Sequence, residues 1–253
     1  MSHLPGKFVW FEHHSTDSRR AQSFYESLFG WRTEVMPMGD MDYSMIQNGG
    51  TGIGGYGKAS PGAANRWMSY LSVDDVDAEF DASLRAGATQ RMAPMDFGPV
   101  GRGATIADPT GAVLSLWKSA SDDAPDSAKP VPGNWVWNEL WSSDRGKALA
   151  FYTSIFGFEH EDMDMGPQGI YTLLKKGGVN RAGLAQSVNP KASSLWLPYV
   201  EVSHCDITAA KAASLGGALL FAPQDIPGVG RFAIIADPLG APLAVLRSLD
   251  NAG

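Results

Sequence analysis

The chain has 253 residues, 44% of them hydrophobic and 19% charged, with a formal net charge of −7. That balance describes a globular chain long enough for two cores, and it excludes disorder and the concentrated positive surface that a nucleic-acid partner needs. No apolar run approaches the ~20 residues that cross a bilayer, the opening MSHLPGKFVWFEHH lacks the order of a secretion signal, and the single cysteine excludes an internal disulfide, so a reducing cytoplasm is the expected compartment.

In chain order, Phe8-Val-Trp-Phe-Glu12 is a run of β-branched and aromatic residues and predicts a strand. A helix follows, with Asp17 at its N-cap and Ala21, Phe24, Tyr25, Leu28 and Phe29 on one face, and Gly30 sits where a left-handed cap belongs. Short strands are predicted around residues 33–36, 43–47 and 52–56. The order then recurs: a strand over 67–73, a helix over 76–86 stopped by Gly87, and strands near 89–93, 104–107 and 113–117.

The whole pattern then returns. Asp17-Ser-Arg-Arg-Ala-Gln-Ser-Phe-Tyr-Glu-Ser-Leu-Phe-Gly-Trp31 reappears as Asp144-Arg-Gly-Lys-Ala-Leu-Ala-Phe-Tyr-Thr-Ser-Ile-Phe-Gly-Phe158, and Asp108-Pro109-Thr110-Gly111-Ala112 as Asp237-Pro238-Leu239-Gly240-Ala241. Between the copies, residues 119–133 (SASDDAPDSAKPVPG) lack apolar periodicity and read as a linker. The expected fold class is α+β, with four βαβββ modules in two domains, residues 1–118 and 134–253.

A twice-repeated βαβββ module carrying "D…FY…LFGW", "SVDDVD" and "DPTGAVLSLW", and then "D…FY…IFGF" and "DPLGAPLAVL", resembles the vicinal-oxygen-chelate superfamily of glyoxalases, bleomycin-resistance proteins and extradiol dioxygenases. The resemblance implies glyoxalase/bleomycin-resistance-like domains whose curved mixed sheets form cups that hold a ligand. It also implies metal ligands: a His seven residues before the helix-capping Asp, a His on the strand opening the next module, and a carboxylate on the last strand. Counted here, those positions hold Trp10 and Trp137, then Trp67 and Trp196, then Ser115 and Ala244. An indole nitrogen is a donor only and cannot ligate as imidazole does, so neither a metal nor another cofactor is expected.

Strand alternation places Glu12 and His14 on the face of Trp10, Glu139 and Trp141 on the face of Trp137, and Ser69 with Trp67. Each cup then reads as an aromatic pocket with one carboxylate, suited to a flat or cationic small molecule. Glu12 or Glu139 could instead act as a general base in a metal-independent lyase or hydroxylase. A structural reading stands beside both: the tryptophans fill a core, and the glutamates pair with Arg102 and Arg231, themselves equivalent under the repeat. His13 should face away from His14, which argues against a shared metal, and His3 and His160 should be exposed. Cys205 opens a helix whose dipole could lower its pKa, although an ordinary helix-entry role needs no partner base. The Gly49–Gly55 run lacks the ending and the helix of a phosphate loop. The expected partner is a small-molecule ligand. The chain is a monomer with an internal pseudo-dimer or a homodimer, and its modules pair either within each half or across the halves.

Overall fold

The computed structural model describes residues 3–38, 41–60, 62–189 and 193–249, so the outer ends of the two expected domains lie outside the described residues. The first module runs β1 (Phe8–Ser15), α1 (Ser18–Phe29), β2 (Arg32–Met38), β3 (Met41–Asn48) and β4 (Thr51–Lys58). The second runs β5 (Arg66–Ser72), α2 (Val76–Arg85), β6 (Thr89–Asp96), β7 (Gly101–Ala107) and β8 (Val113–Ser119). The third runs β9 (Trp135–Ser142), α3 (Arg145–Phe156), β10 (Glu159–Asp164), β11 (Ile170–Lys176) and β12 (Val179–Gln186). The fourth closes the chain with β13 (Leu195–Glu201), α4 (Cys205–Ser214), β14 (Ala218–Ile226), β15 (Gly230–Ala236) and β16 (Pro242–Ser248).

Local chemistry sets these boundaries. The Asp17 carboxylate accepts from the Arg20 N–H, and Asp144 does the same for Lys147, so the first helix of each copy has a true N-cap. Gly30 and Gly157 end the same two helices at φ 75° and 60°, a conformation that costs glycine nothing.

The strands form two eight-stranded sheets, in the orders β2-β3-β4-β1-β5-β8-β7-β6 and β10-β11-β12-β9-β13-β16-β15-β14. Both are mixed: β1 runs parallel to β4 and β5 to β8, while the meanders β2-β3-β4 and β6-β7-β8 are antiparallel. Strand pairing thus follows the halves of the sequence, module with adjacent module.

Compact packing groups the residues differently. One unit comprises residues 1–10, 68–125 and 137–196, the other residues 11–67, 126–136 and 197–253. The first has an apolar core of Leu71, Phe80, Leu114, Leu116, Leu140, Phe151, Leu174 and Leu184, closed by Trp196. The second buries Trp31, Tyr25, Ile46 and Leu197. The linker is fastened in each: Asp123 accepts from Ser72 Oγ and the Leu4 N–H in the first, and the Gly133 carbonyl accepts from Trp31 Nε1 in the second. No helix among the described residues is long and apolar enough to cross a membrane.

Candidate functional site

On β1, residues alternate between two environments. His13 turns toward α1, where its ring meets Tyr25 edge-on at 5.5 Å. Trp10, Glu12 and His14 therefore take the opposite face. His14 Nε2 lies 2.6 Å from Glu12 Oε2, with the imidazole 28% and the carboxylate 12% exposed. A carboxylate only accepts, so the Nε2–H donates and the proton of the neutral ring is fixed on that nitrogen.

The neighbouring strand makes room for this pair. Glu12 is level with Gly55 and His14 with Gly57 on β4. A Cβ on Gly57 would lie 3.0 Å from His14 Nε2 and 3.2 Å from Glu12 Cδ, and a Cβ on Gly55 would fall on the Tyr43 hydroxyl. Glycine at position 55 leaves room for the Tyr43 hydroxyl, and at position 57 it spares the His14–Glu12 pair a tight contact.

The second copy repeats the arrangement with different chemistry. Glu139 is level with Gly183 on β12, and the Tyr171 hydroxyl occupies the space over that glycine. Tyr171 donates to Glu139 Oε2 at 2.9 Å, Trp141 Nε1–H donates to Oε1, and Trp137 Nε1–H donates to the Tyr171 oxygen at 3.0 Å. Burial and the adjacent carboxylate push the Tyr171 phenol well above its ordinary pKa, so it stays a donor. Where the first copy has His14 above Gly57, the second has Trp141 above Ala185.

Several sequence expectations change. Trp67 does not share the face of Trp10: it is 4% exposed and its Nε1–H donates to Tyr25 on α1 at 2.9 Å. Trp196 does the same to Tyr152 at 3.0 Å. Both are core residues, and Ser69, two residues on from Trp67, is fully buried and donates to Asn138 at 3.3 Å. Alternation then gives the opposite face of β5 to Arg66, Met68 and Tyr70, and that of β13 to Leu195, Leu197 and Tyr199. The counting slipped by one residue, which on a strand inverts every side chain.

Arg102 and Arg231 also serve elsewhere. Arg102 holds Asp77 at 2.6 Å and Asp96 at 2.9 Å, while Arg231 holds Asp206 at 2.6 Å and Asp225 at 3.1 Å. These partly exposed clamps tie a helix start to a hairpin in each copy. Cys205 is buried, and its thiol is pushed up to about 11, chiefly by desolvation, which keeps it protonated near neutral pH. His160 is exposed and His3 half-buried.

Ser115 on β8 is buried, and its hydroxyl meets Thr105 at 2.9 Å. Tyr70, Trp117 and Phe97 form an aromatic group there, with Trp117 lying over Gly101 and Gly103. In the other unit Tyr199, Phe232 and Phe221 stack with interplanar angles of 29° and 22°. Sequence counting missed these rings because it had assigned the aromatic role to Trp67 and Trp196.

The donor set does not fit a divalent metal. The positions that the superfamily gives to histidine hold tryptophan on β1 and β9, the last-strand positions hold Ser115 and Ala244, and no group of three or more His, Cys, Asp or Glu among the described residues is placed to hold an ion.

With this geometry in view, the likenesses to known proteins fall into place. The Glyoxalase-like domain family matches residues 10–117. A protein of Mycobacterium tuberculosis (strain CDC 1551 / Oshkosh) named as a glyoxylase, CFP32, is 37% identical over 244 residues, covering 94% of this chain and 93% of its own. The anthracycline biosynthesis protein DnrV of Streptomyces peucetius is 30% identical over 265 residues, covering 96% and 94%. Among solved structures, the Mn(II)-bound glyoxalase from Novosphingobium aromaticivorans superposes with a TM-score of 0.65 at 17% identity, covering all of this chain and 86% of that one. The 2,2',3-trihydroxybiphenyl 1,2-dioxygenase from Sphingomonas wittichii gives 0.62 at 16% identity, covering 98% and 91%. The chain belongs to the glyoxalase-like proteins of the vicinal-oxygen-chelate superfamily.

Proposed function

We propose that the chain is a metal-free small-molecule binding protein of this superfamily, presenting Glu12 and Glu139 from aromatic strand faces to a flat aromatic or cationic ligand. One observation carries the reading. On β1 and on β9 a half-buried tryptophan stands where a metal-binding histidine is expected, and a carboxylate two residues on is held by side chains of its own copy. Tryptophan faces attract rings and cations, and a carboxylate fixes a positive group. A relative named for the biosynthesis of anthracyclines, which are flat polycyclic compounds, supports an aromatic ligand.

The test is tryptophan fluorescence against a panel of aromatic cations and neutral aromatics, with and without a chelator. Saturable quenching that a chelator leaves unchanged is expected. Replacing Glu12 and Glu139 together by Gln should weaken a cationic ligand about tenfold, equivalent to ~1.4 kcal/mol. Binding that disappears with chelation and returns with a divalent ion would overturn the reading.

A second reading, a metal-independent enzyme, is favoured by one feature only, the 2.6 Å His14–Glu12 hydrogen bond of the first copy. It expects Glu12→Gln to lower turnover of an enolisable carbonyl compound.

A further inference from the structure

Resting on the binding reading, we propose that His14 Nδ1 is a proton-accepting site unique to the first copy, and that its ligand is a neutral weak acid: an aromatic phenol or enol. Glu12 is the positioning residue. Its carboxylate takes the Nε2–H and leaves the lone pair of Nδ1, for which no hydrogen-bond partner exists among the described residues, on a ring that is 28% exposed. A carboxylate behind an imidazole orients the ring and stabilises the imidazolium once it forms. In the step itself the ligand O–H bond breaks, its proton moves to Nδ1, and the electron pair stays on the ligand oxygen as phenolate or enolate beside the new cation. No oxidant or further reactant is needed.

The second copy supplies the contrast. Glu139 faces an indole N–H and a phenol whose pKa burial has raised, and neither can take up a proton. Trp141 stands over Ala185, whereas His14 stands over Gly57, where a Cβ would lie 3.0 Å from its Nε2 and press on the ring. The glycine and the histidine belong to one built feature. A copy holding Trp and Ala at the same places binds without ionising.

The test uses 3-nitrophenol, a weaker acid whose ionisation is visible as colour, at pH ~7.5, where the free compound is mostly protonated and an ordinary imidazole is mostly neutral. Tryptophan quenching reads binding and the phenolate band reads proton transfer. Wild type should develop the band to one equivalent per chain. His14→Trp, which copies the second site, should bind with the band reduced about tenfold or more, the equivalent of one pKa unit. Glu12→Gln and Gly57→Ala should reduce it with circular dichroism unchanged, and Trp141→His should add signal toward a second equivalent. Quenching without a band in wild type, or a band that survives His14→Trp, overturns the proton-accepting role while leaving the binding reading intact. No quenching and no band overturns both.

Discussion

At the scale of single residues, the two copies differ through what stands above a glycine. Gly183 lies under the Tyr171 hydroxyl and Gly55 under that of Tyr43, so a methyl group at either position must expel a phenol from a packed face. Gly183→Ala is expected to destabilise by roughly 1–3 kcal/mol, the usual range for overpacking, and to release Glu139 from its tyrosine donor. A urea midpoint equal to that of wild type would show that Tyr171 moves aside freely. Trp10, Glu12 and His14 were legible because alternation is a backbone property that needs no partner. Trp67 was not. Its face depends on where β5 begins, and only the hydrogen bond to Tyr25 fixes that. The partners of Arg102 and Arg231 were equally hidden, because Asp77 and Asp206 lie 25 residues from them along the chain.

At the scale of elements, the local signals held. Asp17, Asp144, Gly30 and Gly157 mark helix ends by satisfying or freeing backbone groups within a few residues, and such chemistry is readable without a fold. Asp17→Ala and Asp144→Ala should each cost about 1 kcal/mol and add within experimental error, since the caps share no partner. Thermal unfolding of the double variant checks this; strong non-additivity would point to coupling that the caps do not explain. The strand β1 outran its predicted end by three residues, reaching Ser15 rather than Glu12. Parallel pairing with β4, register Ser15 to Lys58, carries it there despite the polar sequence.

At the scale of the whole molecule, a buried polar cluster joins residues from opposite ends of the chain. His13, fully buried, donates to Asp237 Oδ2 at 2.6 Å; Tyr25 donates to the same oxygen at 3.2 Å, and Trp67 donates to Tyr25. The other unit has Tyr152, Asp108 and Trp196 in the same relation, with Leu140 where His13 would be. Residues 1–118 expressed alone would therefore lack the Asp237 that their His13 and Tyr25 require. The fragment is expected to show no cooperative unfolding transition, whereas a sharp one would establish an autonomous N-terminal domain. Burial pushes the Asp237 carboxyl up, but the His13 hydrogen bond and charge and two backbone N–H groups bring it below the ordinary carboxylate value. Its folded pKa is lower than its unfolded one, so its contribution is complete above pH ~4 and is lost as pH falls through the folded value. Asp237→Asn should flatten that acid limb of stability, and an unchanged limb would assign it to other carboxylates.

The sequence by itself determined the duplication, the module order, the helix caps and a tryptophan two residues before a glutamate on the first strand of each copy, because all of these rest on short-range patterns that repeat. Tertiary structure decided which tryptophans are core, which carboxylates the arginines hold, and how packing groups the modules. The physical reason is the same in each case: strand pairing follows the halves, while the compact units bring together residues far apart in sequence, such as His13 and Asp237. Long-range polar pairs leave no periodic trace in a sequence, and one residue of strand register separates a ligand-facing side chain from a buried one.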